Sequence, residues 1–116
     1  MLASAPSARI VVTTAASREE AARLGRTLVE ERLAACVTLL PGAHSIYRWE
    51  RQIESADECL LLLKTSGDRL EALEARFREL HTYQTPEFLV LAPAAGSQDY
   101  LAWLDACLRD ADDATA

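Results

Sequence analysis

The stretch from Cys36 to Thr65 allows little except two long strands laid side by side. Its first half, Cys36-Val-Thr-Leu-Leu40 and then His44 to Trp49, is β-branched, leucine-rich and aromatic. Its second half, Ile53 to Thr65, contains the run Cys59-Leu-Leu-Leu-Leu63. Such compositions fit a pleated, half-buried surface. Pro41-Gly42 interrupts the first strand, and a bulge or bend is expected there, because proline removes one ladder donor and glycine accepts an unusual backbone angle. The turn falls at Glu50-Arg51-Gln52. At about 3.3 Å per residue, Val37 to Trp49 would reach roughly 40 Å, about twice a typical strand.

The flanking segments complete the pattern. Ala8 to Thr14 reads as a short buried strand. Ser17-Arg-Glu-Glu20 is a capping box, and Ala21, Leu24, Leu28 and Leu33 share one broad face, which predicts a helix from Arg18 to Ala34. Asp68-x-x-Glu71 opens a second helix with Leu70, Leu73, Phe77 and Leu80 on its inner face. Pro86 precedes a short apolar strand, Glu87 to Ala92, and Ser97 caps a final helix striped by Leu101, Leu104 and Leu108. The order β-α-β-β-α-β plus a helix gives an α+β, ferredoxin-like sandwich: a four-stranded antiparallel sheet, two helices on one face, an extended central hairpin and an additional C-terminal helix. A single domain is expected over residues 9–109, with a frayed N-terminus at 1–8 and an acidic disordered tail at 110–116.

Charge and cysteine usage narrow the function classes. The net charge of −6 argues against a nucleic-acid partner. No stretch approaches the roughly 18 apolar residues of a membrane span, and the opening MLASAPSAR lacks the pattern of a secretory signal. Cys36, Cys59 and Cys107 are an odd count without CxxC spacing, which fits reduced thiols in a cytoplasmic protein.

Two features strain a monomer. The hairpin would project beyond the helices while carrying Ile46, Tyr47 and Trp49, and the last strand is an edge whose two faces are both apolar (Phe88, Leu89, Val90, Leu91). Further copies of the chain could cover both; the final helix folded over the edge is the monomeric alternative.

The sharpest local cluster is His81, Tyr83 and Glu87, where imidazole nitrogen and carboxylate oxygen suit Cu(II) or Zn(II). His81 and Glu87 are therefore candidate metal ligands. The competing reading makes Tyr83 and Gln84 hydrogen-bonding residues between subunits and His81 a helix cap. Tyr47 and Trp49 share a sheet face beside Glu50. They could anchor a subunit interface, or stack on a small planar ligand in an intersubunit cleft with Lys64 supplying charge. Trp103 reads as a core or interface anchor.

Five segments in register resemble the CutA-like divalent-cation tolerance proteins: Leu33-Ala-Ala-Cys-Val37; Pro41-Gly42 followed by Ser45-x-Tyr47-x-Trp49-Glu50; Leu63-Lys-Thr65; His81-x-Tyr-Gln-Thr-Pro-Glu87; and Tyr100-Leu-x-Trp-Leu104. The resemblance implies a non-enzymatic homotrimer of ferredoxin-like subunits, with an architecture similar to PII-type signalling proteins. It also implies a role in divalent-metal (copper) tolerance, no required cofactor, and weak binding of Cu(II) or another divalent metal. A PII-like trimer sensing a small anionic metabolite in the intersubunit cleft is the alternative. The sequence departs from the family pattern at Arg51, where many members have glycine, at Thr82, where many have proline, and at Thr13, where some have a cysteine associated with copper. A threonine hydroxyl is a far poorer ligand for such a metal.

Overall fold

The computed structural model describes residues 1–109; the acidic tail expected at 110–116 lies outside the described residues. In chain order the elements are β1 (Leu2–Ser4), β2 (Ala8–Ala15), α1 (Arg18–Glu30), β3 (Cys36–Trp49), β4 (Gln52–Ser66), α2 (Leu70–Leu80), β5 (Leu89–Leu91), β6 (Ala95–Ser97) and α3 (Gln98–Cys107). A 3-10 turn, Gly67–Arg69, leads into α2. The main sheet is antiparallel in the order β3-β4-β2-β5. This is the ferredoxin-like arrangement expected from the sequence, with α3 added.

Strand alternation assigns the two faces of the sheet. Val11, Cys59, Leu61 and Leu63 point toward α1 and α2 and join Leu24, Leu28, Leu73 and Phe77 in the main core. Gly25 lets α1 approach closely, since a Cβ there would lie 3.0 Å from Cγ1 of Val37. The opposite face carries Ile10, Val12, Leu60 and Leu62, with Leu89 and Leu91 paired beside Val12 and Ile10. No helix of the main sandwich covers that face; α3 packs at one end, where Leu104 and Leu108 close a second small core with Ala35. Arg69 donates to the Leu108 carbonyl, and Arg109 pairs with Asp68 at 2.8 Å, which pins the end of α3 to the turn before α2.

The hairpin is as long as anticipated. β3 spans 14 residues and β4 spans 15, and the molecule is drawn out to 46 Å along its longest axis. The register jumps between Leu40 and Ala43: Leu40 faces Leu60, whereas Ala43 faces Glu58. Pro41 and Gly42 together oppose Cys59, and Gly42 adopts the left-handed φ of 89°. This is the expected bulge, and its one extra residue exchanges the faces of everything beyond it. Ser45, Tyr47 and Trp49 thereby share the open face with Leu40, while His44, Ile46 and Arg48 turn to the other side.

Four local expectations are corrected. The helix predicted over Arg18 to Ala34 stops at Glu30: Arg32 takes a left-handed φ of 59°, and the Leu33 amide bonds back to the Leu28 carbonyl at 2.9 Å. This is a Schellman-type stop without the glycine that usually announces one. Asp68 does not cap α2; its carboxylate is held by Ser66 and Arg109 instead. The last sheet strand is shorter than Glu87 to Ala92. Finally, residues 1–8, expected to be frayed, contain β1, which pairs with β6 in register Ala3 to Gly96, while the Gln98 amide donates to the Met1 carbonyl at 2.9 Å. The predicted caps hold: Ser17 accepts from the Glu20 amide at 3.1 Å and Ser97 from the Tyr100 amide at 3.2 Å.

The hairpin tip is a two-residue turn closed by the Trp49–Gln52 pair, with Glu50 at φ 48° and Arg51 at φ 73°. Two positive φ angles define the turn type that matches strand twist, and it normally selects asparagine or glycine. Replacing Arg51 with glycine removes a left-handed strain of about 1 kcal/mol. The expected result for R51G is a melting temperature higher by a few degrees in thermal unfolding followed by circular dichroism.

Candidate functional site

The cleft that the fold creates lies where the open face of the hairpin meets the segment after α2. Its volume is about 670 Å³, and Tyr47, Trp49, Glu58, Tyr83, Gln84 and Glu87 are among its lining residues. The bulge puts Ser45, Tyr47 and Trp49 on this side, and strand alternation brings Thr14 and Glu58 to it from β2 and β4. Pro86 is buried and fixes the extended path on which Glu87 leaves the loop. Thr13 secures that path from below, its hydroxyl donating to the Glu87 carbonyl at 2.6 Å.

His81 ends α2 and is buried behind the cleft wall. Its Nδ1 accepts from the Tyr83 amide at 3.0 Å, so the ring proton resides on Nε2 and is donated to the Thr14 carbonyl at 2.8 Å. The ring packs between Phe77 and Tyr83, with centroids 5.0 and 4.6 Å away. Both nitrogens are thus committed, and the imidazole holds no spare lone pair for a metal. The His81–Glu87 chelate expected from spacing does not form in the subunit. Thr13 is fully buried and spends its hydroxyl proton on the Glu87 carbonyl. Among the described residues there is no group of three His, Cys, Asp or Glu side chains placed to hold a metal ion.

The two carboxylates of the cleft differ. Burial pushes the Glu58 carboxyl upward, but the hydroxyls of Ser45, Tyr83 and Thr14 around it outweigh that and hold Glu58 below the ordinary value. The Tyr83 hydroxyl donates to Glu58 Oε2 at 2.7 Å. Burial first, and then this bond and the charge of Glu58, push the Tyr83 phenol well above its usual range. Glu87 goes the other way: burial and then the Glu58 charge raise it.

The remaining candidates fall in three places. Tyr47, Trp49, Tyr83 and Gln84, expected at a cleft or interface between subunits, line this cleft within one subunit. Glu50 sits in the exposed hairpin turn. Lys64 is not at the cleft: its Nζ contacts Cys36 Sγ at 3.7 Å and the Thr38 hydroxyl, farther along the sheet. Within one subunit it supplies no charge there, and the cleft wall presents two carboxylates, Glu58 and Glu87. Trp103 stacks near Tyr100, with centroids 5.6 Å apart, against the small core under α3. Sequence reasoning missed Glu58 and Thr14. The available signal was alternation: Glu58 continues the face of Leu60 and Leu62, where a carboxylate must find donors.

Comparison with known proteins matches residues 9–107 to the family model described as CutA1 divalent ion tolerance protein. The chain belongs to the CutA1 family. The divalent-cation tolerance protein CutA of Pectobacterium atrosepticum is 46% identical over 100 residues, covering 86% of this chain and 91% of that protein. CutA from Synechococcus elongatus PCC7942 superposes with a TM-score of 0.90 at 37% identity, over 94% of this chain and 96% of the other. A CutA from Archaeoglobus fulgidus, described as a periplasmic divalent cation tolerance protein, superposes with a TM-score of 0.85 at 31% identity, over 88% and 99% of the two chains. A role in divalent-cation tolerance comes with the family.

Replacing Tyr83 with phenylalanine removes one of the donors that hold Glu58 ionised. The variant is expected to lose about 1 kcal/mol at neutral pH. A carboxyl held below its unfolded value contributes stability above that value and loses it as pH falls through the folded one. The deficit of Y83F in thermal melts should therefore shrink below the ordinary carboxylate range around 4.5.

Proposed function

We propose that this chain acts as a cytoplasmic homotrimer in divalent-cation tolerance, copper included, through assembly and binding rather than catalysis. The observation that carries the assembly is the uncovered sheet face. Leu40, Leu89 and Leu91 stand on it exposed, β5 leaves an open apolar edge, and Ile46 and Ile53 are 72% and 63% accessible on the projecting hairpin. Apolar surface of this extent favours association, and a closed ring satisfies every edge where an open array would make fibres. Three is the number that the family resemblance implies. The cytoplasmic placement rests on three cysteines that are all free, which suits a reducing compartment.

The contribution to copper handling runs through no built chelate involving His81. Its ring is an internal brace, and Cu(II) meets scattered surface groups, carboxylate oxygens and the exposed His44 beside Asp57, which bind it weakly. Two measurements test this reading. Sedimentation equilibrium should give a mass three times the 12.7 kDa subunit, and a mass of one subunit in dilute buffer would remove the assembly. Calorimetric titration with Cu(II) should give the same weak affinity for the wild type and for a folded His81→Ala variant; a loss in the variant would restore His81 as a ligand.

A further inference from the structure

We propose that the cleft between the hairpin and the loop after α2 is a binding site for a small organic ammonium ion, with Glu87 as its counter-charge and Tyr47 and Trp49 as its aromatic walls. This goes beyond the metal-tolerance role and does not depend on it.

The argument begins with an unpaired charge. Among the described residues, the side-chain carboxylate of Glu87 makes no hydrogen bond and no ion pair, whereas its own backbone carbonyl is satisfied by Thr13. It stands exposed at the cleft, where the charge of a second carboxylate, Glu58, acts on it. An anion in that position is relieved by a cation. The cleft lining contains no lysine, arginine or histidine, so the cation must come from outside the subunit's own cleft wall.

The donor set then selects the kind of cation. A divalent metal needs several ligands with free lone pairs. Glu58 already accepts the Tyr83 hydroxyl at 2.7 Å, both His81 nitrogens are committed, and among the described residues no group of three His, Cys, Asp or Glu side chains is placed to hold a metal ion. That leaves Glu87 nearly alone, too little to replace a metal's water shell. An ammonium group needs only one charged acceptor and gains from aromatic faces, which do nothing comparable for a strongly hydrated metal ion. Tyr47 and Trp49 are still 43% and 42% accessible and line the same space. The Gln84 amide and the Thr85 hydroxyl add neutral polar partners at the rim. A volume near 670 Å³ lies in the range of small-molecule sites.

The test uses the full chain with Trp103→Phe, which leaves Trp49 as the single indole. 1,4-Diaminobutane is titrated while Trp49 emission and heat are followed, with citrate and Mg(II) as matched arms. Saturable emission change and heat with the diamine are expected, with none for citrate. Glu87→Gln, which preserves shape, should weaken diamine binding at least about tenfold. Trp49→Phe should weaken it by a smaller factor, with heat as the readout. No saturation by an amine concentration on the order of 10 mM would overturn the proposal, since binding weaker than that is not a site. So would unchanged affinity in Glu87→Gln, preferential binding of citrate, or tighter Glu87-dependent binding of Mg(II) than of the diamine.

Discussion

The one-residue excess at Pro41-Gly42 governs the character of the molecule. In a regular ladder the alternation set by Leu39 and Leu40 would carry His44, Ile46 and Arg48 to the open face and leave Ser45, Tyr47 and Trp49 on the other. The bulge reverses that assignment at a single point, between Leu40 and Ala43. Proline has no amide to lose from the ladder, and Gly42 takes its φ of 89° without a side chain to strain. Everything chemical about the hairpin follows: aromatic rings gather over the cleft, and Ser45 comes within reach of Glu58.

Below the bulge the same sheet has a different task. Its inner face is filled by leucine and valine packed on α1 and α2, and its outer face repeats that apolar chemistry without a cover from the main sandwich. The cleft begins where the outer face changes from Leu60 and Leu62 to Glu58. One side of one sheet is thus apolar along its body and acidic and aromatic toward its tip, so the face proposed for association and the proposed ligand cleft are neighbouring parts of a single surface.

Much of the fold was legible because the signals were periodic. Leu24 and Leu28, Leu73 and Phe77, and the alternation through Leu61 and Leu63 each specify an element and its buried side. The parts that escaped were set by backbone geometry or by single hydrogen bonds. Arg32 stops α1 in a left-handed conformation that composition does not announce, and β1 pairs with β6 through small residues with no apolar pattern. At the site, spacing put Tyr47 and Trp49 on one face and His81, Tyr83 and Glu87 in one segment, but could not reveal that both His81 nitrogens are consumed at home. Metal-ligand spacing reports which atoms are near one another, and it is silent on whether their lone pairs are free. Lys64 lies elsewhere on its own subunit, because alternation fixes its face but not its distance along the sheet.

The short ribbon of β1 and β6 has a practical corollary for handling the molecule. It joins the Ala8 end of β2, next to α3, whereas the cleft opens beside Thr14, six positions farther along the same strand. At about 3.3 Å per residue that is roughly 20 Å of rigid ladder. A fluorophore or affinity tag joined ahead of Met1 would therefore emerge beside the last helix, and would report on that end of the subunit while leaving the aromatic mouth unobstructed.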